Sequence, residues 1–413
     1  MSWRETTLGE ITNLKRGFDL PKSQRLQGDV PVYSSSGITG SNSTAAVEGP
    51  CVITGRYGTI GEVFFSSGPC WPLNTALYST EFNGNNPRFV YYLLQTIPWQ
   101  GYTTASAVPG VNRNHVNLCP VKIPDRATQD AIVEVLDSIV DKIALNNQLN
   151  DYLANLLDAA FANSAKSGSK EFGLPEVVDI LSGGTPRTKN AEYWEDGRIP
   201  FFTPGDVTNS VYTLTTEKHI TDVGLDNCNS ELYPVDTVFL TARGTVGKVA
   251  IAGRPMAMNQ SCFAFRGKSI PQSVVFQIIK NAVKTLRAKA NGATFAAINT
   301  RDLKIETVAV PCNKEIAHYD ESASKWLDLI RTNEEENLQL SALRDILLPK
   351  LMSGEIDVSK VDLTQLTNNH LAGRMHWSTV IRVRAIHAVH SRQSQIPAYE
   401  SVPRVLHSHA TPP

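Results

Sequence analysis

No apolar run in this sequence approaches the roughly 20 residues that a membrane span needs. The opening residues, Met1-Ser2-Trp3-Arg4-Glu5, lack the basic-then-apolar plan of a signal peptide. A cytoplasmic protein with no membrane partner is expected. The six cysteines form no C-x-x-C pair and have no histidine near them at zinc-ligand spacing, so reduced thiols and no metal site are expected. An excess of one charge sign is missing too. With a formal net charge of −1, the chain has no strong general pull on polyphosphate. Any nucleic-acid contact has to be local, specific or shared with a partner.

Catalytic signatures are equally scarce. There is no G-x-x-x-x-G-K-[ST] phosphate loop, no G-x-S-x-G elbow and no H-E-x-x-H. The N-P-P-aromatic or D-P-P-aromatic run of amino-methylating enzymes is absent. The stretch Gly55-Arg56-Tyr57-Gly58-Thr59-Ile60-Gly61 is Gly-rich, but β-type Val63-Phe64-Phe65 follows it instead of a helix. Glycines for a tight strand-to-strand turn explain it better than a phosphate cradle. No catalytic residue and no cofactor is expected.

What the chain does contain is a repeat. Ile132, Leu136, Ile139, Ile143, Asn146, Asn150, Leu153, Leu157 and Ala160 step alternately by four and three, the seam of a helix that packs lengthwise on another. Adding 187 gives Tyr319, Ala323, Trp326, Ile330, Asn333, Asn337, Leu340, Arg344 and Leu347. Both asparagines return. Asparagines in a seam weaken it but fix its register, so Asn146, Asn150, Asn333 and Asn337 are read as registration marks. Replacing Asn146 and Asn333 together by leucine is expected to stabilise the pairing but loosen its register.

The segments before the helices repeat as well. Gly9-Glu10-Ile11 answers Pro175-Glu176-Val177, and Arg16-Gly17 answers Ser182-Gly183-Gly184. The Gly-rich stretch from Ile53 answers Leu240-Thr241-Ala242-Arg243-Gly244-Thr245-Val246-Gly247-Lys248-Val249 with one residue deleted. This makes Tyr57 an extra residue and Arg56 the counterpart of Arg243. Leu73-Asn74 answers Met258-Asn259, Val111-Asn112 answers Ile298-Asn299, and Pro124 answers Pro311. Strands are expected at Val30-Pro31-Val32-Tyr33, Cys51-Val52-Ile53-Thr54 and Glu62-Val63-Phe64-Phe65, with a helix from Pro87 to Thr96. The resulting plan is a mixed domain over 1–124, a long helix over 125–165 and a linker over 166–172. A second mixed domain covers 173–311 and a second long helix 312–350, stopped by Pro349. A terminal segment spans 351–363, and a basic, His-rich tail over 364–413 is expected to be disordered. At ~1.5 Å per residue the first helix spans roughly 50 Å.

The two domains differ in their loops. Lys15, Arg16, Lys22, Arg25 and Ser35 stand in the first, and Arg187, Lys189, Tyr193 and Arg198 in the second. Arg56 and Arg243 lie in the two turns, and Arg113 and Arg301 follow the repeated asparagines. These are residue types that hold phosphates and read base edges, so all are candidates for DNA contact, with a structural role in holding neighbouring loop carbonyls an equal alternative for Arg56 and Arg243.

In that order, and twice over, these pieces resemble the specificity subunit of a type I restriction-modification system. Leu8-Gly9-Glu10-Ile11, Ser182-Gly183-Gly184-Thr185-Pro186 and the paired turns carry the resemblance. Leu343-Arg344-Asp345-Ile346-Leu347-Leu348-Pro349-Lys350-Leu351-Met352-Ser353-Gly354-Glu355-Ile356 carries it most strongly. The resemblance implies an α+β chain of two mixed, β-rich target recognition domains, each followed by a long helix, with the helices pairing as an antiparallel coiled coil. It implies that each domain binds half of a split, asymmetric sequence in double-stranded DNA. It also implies two docked DNA adenine-methyltransferase subunits, restriction-translocase subunits beyond them, and no chemistry in the chain itself. Two other readings stand beside it: a coiled-coil assembly scaffold that reads no DNA, and a fused single-chain enzyme, which the missing catalytic motifs disfavour.

Overall fold

The computed structural model describes residues 3–103, 110–289 and 297–361. The His-rich tail over 364–413 lies outside the described residues. The chain divides into two compact units, residues 1–138 with those from 346 onward, and residues 139–345. Both long helices cross this division: Arg126–Lys166 and Asn313–Ser353, 41 residues each.

In the first unit, Trp3–Thr7 pairs antiparallel with Pro120–Pro124. A four-stranded sheet runs in the order Lys15–Arg16, Ala76–Ser79, Cys51–Gly55, Val63–Ser66. A three-stranded sheet runs Gly37–Asn42, Val30–Ser34, Trp71–Pro72, its last pair parallel. The helix Pro87–Gln95 starts where the sequence signals it. Pro87 fits the first turn because that amide has no helical partner, and Asn86 accepts from the amides of Arg88 and Phe89. Tyr33, Cys51, Ile53, Cys70, Ala76 and Tyr78 form a buried core between the sheets.

The second unit repeats this wiring. Ser169–Gly173 pairs with Thr307–Pro311. Val178–Ser182, Cys262–Gly267, Val238–Thr241 and Val249–Ala252 follow one another in the larger sheet, extended at its edge by Tyr212–Thr213. The smaller sheet runs Lys218–Ile220, Ile199–Phe202, Ala257–Met258, with its last pair again parallel. Gln272–Lys289 takes the place of Pro87–Gln95 and is twice as long, 18 residues against 9.

Two expectations are corrected. Residues 166–172 are not a linker: Ser169–Gly173 forms a full ladder with Thr307–Pro311, leaving only Ser167 and Gly168 between helix and strand. Pro349 does not stop the second helix, which continues to Ser353. Pro349 is exposed, so water can take the carbonyl that its missing amide leaves free. Buried Leu351 and Met352 hold the next turn down. The stop is Gly354, whose positive φ of 75° suits a residue without Cβ, and whose amide donates to Leu351 O.

Within the second unit the two helices run side by side. Asn146 Nδ2 donates to Asn337 Oδ1 at 2.9 Å, and Asn333 Nδ2 donates to Asn150 Oδ1 at 2.8 Å. Moving four residues forward on one helix moves four back on the other, so the pairing is antiparallel. Leu153, Leu157, Tyr319, Ala323 and Ile330 from the seam join the same core as Val238, Leu240 and Phe265 of the sheet.

One buried carboxyl ties this helix pair to the sheet edge. Glu334 is 7% exposed, and its Oε1 accepts from Val211 N at 3.1 Å. Burial, opposed by the amides of Tyr212 and Val211, pushes its carboxyl from the ordinary 4.5 up to about 7. The folded chain therefore holds this proton more tightly than the unfolded chain. Its contribution to stability falls as pH rises from about 4.5 to about 7, by about 3 kcal/mol at ~1.4 kcal/mol per unit, and is flat above. Glu334→Gln is expected to remove that slope and to raise the melting temperature at pH 8. Melting curves at pH 5 and pH 8 check it, and equal slopes in both proteins would contradict it.

Candidate nucleic-acid interface

Each unit presents one tight turn between two strands of its larger sheet, with several other segments fastened to it. In the first unit the turn follows Cys51–Gly55 and leads to Val63–Ser66. The amides of Arg56 and Tyr57 both donate to Thr75 O, at 2.9 and 3.2 Å, and Val111 N donates to Arg56 O at 2.9 Å. In the second unit the amides of Ala242 and Arg243 donate to Ser261 O, at 2.8 and 3.3 Å, and Ile298 N donates to Ala242 O at 2.9 Å. Gly58, Gly61, Gly244 and Gly247 have φ between 76° and 98°, where a Cβ is strained. The Gly-rich stretch is thus a hairpin turn.

These bonds also fix which residues correspond. Thr54 pairs with Val63 and Leu77, whereas Leu240 pairs with Val249 and Phe263. Counting on, Arg56 corresponds to Ala242 and Tyr57 to Arg243, with nothing deleted. The expected match of Arg56 with Arg243, and the extra Tyr57, are therefore corrected. Gly55 corresponds to Thr241. Thr241 Oγ1 donates to Thr245 O, whereas a Cβ on Gly55 would lie 1.7 Å from Thr59 O. The first turn is closed by direct backbone approach and the second through a hydroxyl.

Around the first turn the structure gathers Ser35, Arg56 and Arg113. Ser35 sits in the adjoining hairpin, its Cβ 3.3 Å from where a Gly55 Cβ would stand. Arg113 is exposed in the first turn of Arg113–Asn117, two residues beyond Val111. Arg16 is exposed on the strand paired with Leu77 and Tyr78. Lys15 is spoken for: its Nζ lies 2.5 Å from Glu81 Oε1, and that carboxylate raises its pKa. Arg25 is structural, donating through Nη1 to Thr39 O at 2.9 Å. Lys22 is exposed in the short helix Lys22–Gln24, on the segment leading to the smaller sheet.

Around the second turn stand Arg243 and Arg301, both exposed. Among the described residues the Arg243 side chain has no hydrogen bond or ion pair. Thr185 hydrogen-bonds Gln260 beside this turn, and Gly184 N donates to Met258 O at 3.0 Å. The chain then enters a loop carrying exposed Arg187, Lys189 and Arg198. That loop is anchored by Trp194, whose Nε1 donates to Arg187 O at 3.2 Å and whose ring meets Phe201 at 5.3 Å. Tyr193 is half-buried, and its carbonyl accepts from Thr221 N, so its part is partly structural.

Sequence reasoning missed Arg287. Its Nη2 donates to Val246 O at 2.8 Å and Gly247 O at 3.1 Å, bracing the second turn from the helix Gln272–Lys289. Its place in the last turn of a helix far along the chain gave no hint of this. Among the described residues no group of His, Cys, Asp and Glu could hold a metal, and no helix is long and apolar enough to cross a membrane.

Comparison with known proteins bears on both units. The family model for the type I restriction modification DNA specificity domain matches residues 1–155 and again 166–339. The HindI specificity subunit of a type I restriction enzyme from Haemophilus influenzae is 22% identical over 464 residues, taking in 86% of this chain and 99% of that protein. The MjaIX specificity subunit from Methanocaldococcus jannaschii is 30% identical over a shorter stretch of 172 residues, which spans only 39% of it and 40% of this chain. Among solved structures, the S subunit of a type I restriction-modification system from M. genitalium has a TM-score of 0.55 at 16% identity, over 85% of this chain and 96% of that one.

Proposed function

Because the chain belongs to the type I restriction-modification specificity family, a family of DNA target recognition, we propose that it directs such a complex to one split, asymmetric sequence in double-stranded DNA. One observation carries this reading: the same strand order occurs twice, with different loops fastened to each turn. A repeated frame with divergent loops suits the reading of two unlike half-sites.

In this reading the turn centred on Arg56 and its neighbours Arg16, Ser35 and Arg113 take one half-site. Arg187, Lys189, Arg198, Arg243 and Arg301 take the other. The register of the paired helices sets the spacer between them. The chain performs no chemistry. Two adenine-methyltransferase subunits dock on it and restriction-translocase subunits join them, which supplies the phosphate contact that a chain of net charge −1 lacks. The test is a map of methylated adenines in a host that carries the methyltransferase with and without this chain. One split motif is expected only with the chain. A pure assembly scaffold would give methylation without a sequence requirement, or none.

A further inference from the structure

We infer that Arg56 reads a guanine in the half-site taken by the first unit, with Tyr57 as the residue that positions it. This rests on the reading of the chain as a DNA specificity subunit and names one of the contacts that reading requires.

The geometry is specific. The Arg56 guanidinium lies over the Tyr57 ring, 4.6 Å from its centroid. Tyr57 is itself fixed: it bridges to Gly110, where an added Cβ would lie 2.3 Å from the ring. Both main-chain groups of Arg56 are used, the amide on Thr75 O and the carbonyl by Val111 N. The backbone bonds fix where the side chain starts, and the ring supports the guanidinium. Its own N–H groups have no hydrogen bond or ion pair among the described residues, unlike Lys15, which Glu81 neutralises. Arg56 is half-exposed.

A stacked guanidinium keeps its edges free while its plane is set. That arrangement suits a planar, two-acceptor partner. Guanine offers one in the major groove, through O6 and N7, and paired N–H donors discriminate it from other bases. A phosphate can accept the same fork, but it is alike at every position and carries no sequence information, so the choice rests on what differs between the two units. The residue correspondence adds a second argument. In the other unit the place of Arg56 is held by Ala242, which is buried and has no hydrogen-bonding side chain to offer a base edge. A cation present in only one of two domains is able to make the difference between their sequences. Arg243, exposed and with no ring beneath it among the described residues, is the complementary case and serves as a backbone contact.

The test uses the full chain with its methyltransferase in a bacterial host without other adenine methylation, and maps methylated adenines across the host genome. Arg56→Ala is expected to relax one guanine position in one half of the motif, losing on the order of tenfold to a hundredfold discrimination there, with the other half unchanged. Tyr57→Phe keeps the ring and the requirement, whereas Tyr57→Ala weakens that same position. Arg243→Ala lowers methylation evenly at all sites without changing any base requirement. Should Arg56→Ala fail to fold, Arg56→Gln takes its place with the same expected loss of the guanine requirement. Arg56 variants that keep every base requirement, or lose methylation evenly at all sites, overturn the inference while leaving the function intact. A wild-type chain that yields no split motif overturns both.

Discussion

Asn333→Leu alone is expected to lower the stability of the folded chain by about 1–3 kcal/mol, and adding Asn150→Leu is expected to recover that loss or exceed it. Asn333 is 1% exposed and Asn150 8%, and they bond to each other across the two helices. Removing one leaves a buried amide that has given up water and found no partner. Replacing both by groups of matching character leaves no such orphan, and a seam of leucines packs well. The structure reverses the expectation for the pair Asn146→Leu with Asn333→Leu. Those two do not face each other. Asn146 bonds Asn337 at 2.9 Å and Glu336 at 2.7 Å, and Lys142 Nζ reaches its Oδ1 at 3.2 Å. That double change takes the partner of buried Asn150 and removes the Asn146 amide from Asn337 Oδ1 and from the Lys142–Glu336 pair, so it destabilises. Urea midpoints of the three variants check the order. A neutral Asn333→Leu would mean that the buried amides do not lock the helices.

Gly183→Ala is expected to cost about 3 kcal/mol or more, the upper end for overpacking, because the added methyl meets backbone. Its Cβ would stand 2.3 Å from Asn259 O and 2.4 Å from Met258 O. Neither carbonyl can yield without disturbing the bond from Gly184 N to Met258 O. The first unit has the same crossing at Gly17, 2.2 Å from Leu73 O and 2.6 Å from Pro72 O. Gly68→Ala, which would meet nothing within 4 Å, is the control and should stay within about 0.5 kcal/mol. Since residues 182–187 lead straight into the loop of Arg187 and Lys189, surviving Gly183→Ala protein should lose its requirement for one half of the motif first. Thermal melting with a methylation map checks both parts. A Gly183→Ala protein as stable as Gly68→Ala would contradict the crowding.

The frame was largely legible in the sequence. Heptad spacing announced both helices, because a seam has to recur at the period of the helix that carries it. The asparagines stood out because they interrupt that seam with polar groups. Strands such as Cys51–Gly55 were visible as β-rich runs between turn residues. The misses have physical causes. Ser169–Gly173 is polar and exposed enough to pass for a linker, and its partner Thr307–Pro311 lies far along the chain, where local pattern carries no information. Pro349 obeys the rule for buried helix interiors only where water cannot reach the freed carbonyl.

The turn taught the most about the candidate site. Matching letters aligned Arg56 with Arg243. Ladder pairing counts residues instead, and it aligned Tyr57 with Arg243 and Arg56 with Ala242. Residue type alone marked Lys15 and Arg25 as candidates equal to Arg56. Only the fold shows that Glu81 holds the first, that Thr39 O engages the second, and that Arg56 lies above an aromatic ring with no hydrogen bond or ion pair from its side chain among the described residues.

On the proposed reading, two separate units of one chain each read half of a split sequence. The most direct measurement exchanges residues 1–124 for the equivalent segment of a family member with a different target, then maps methylated adenines made with the same methyltransferase. One half of the motif is expected to change to that of the donor, while the other half and the spacer stay as they were. A motif unchanged in both halves, or changed in both, would contradict it.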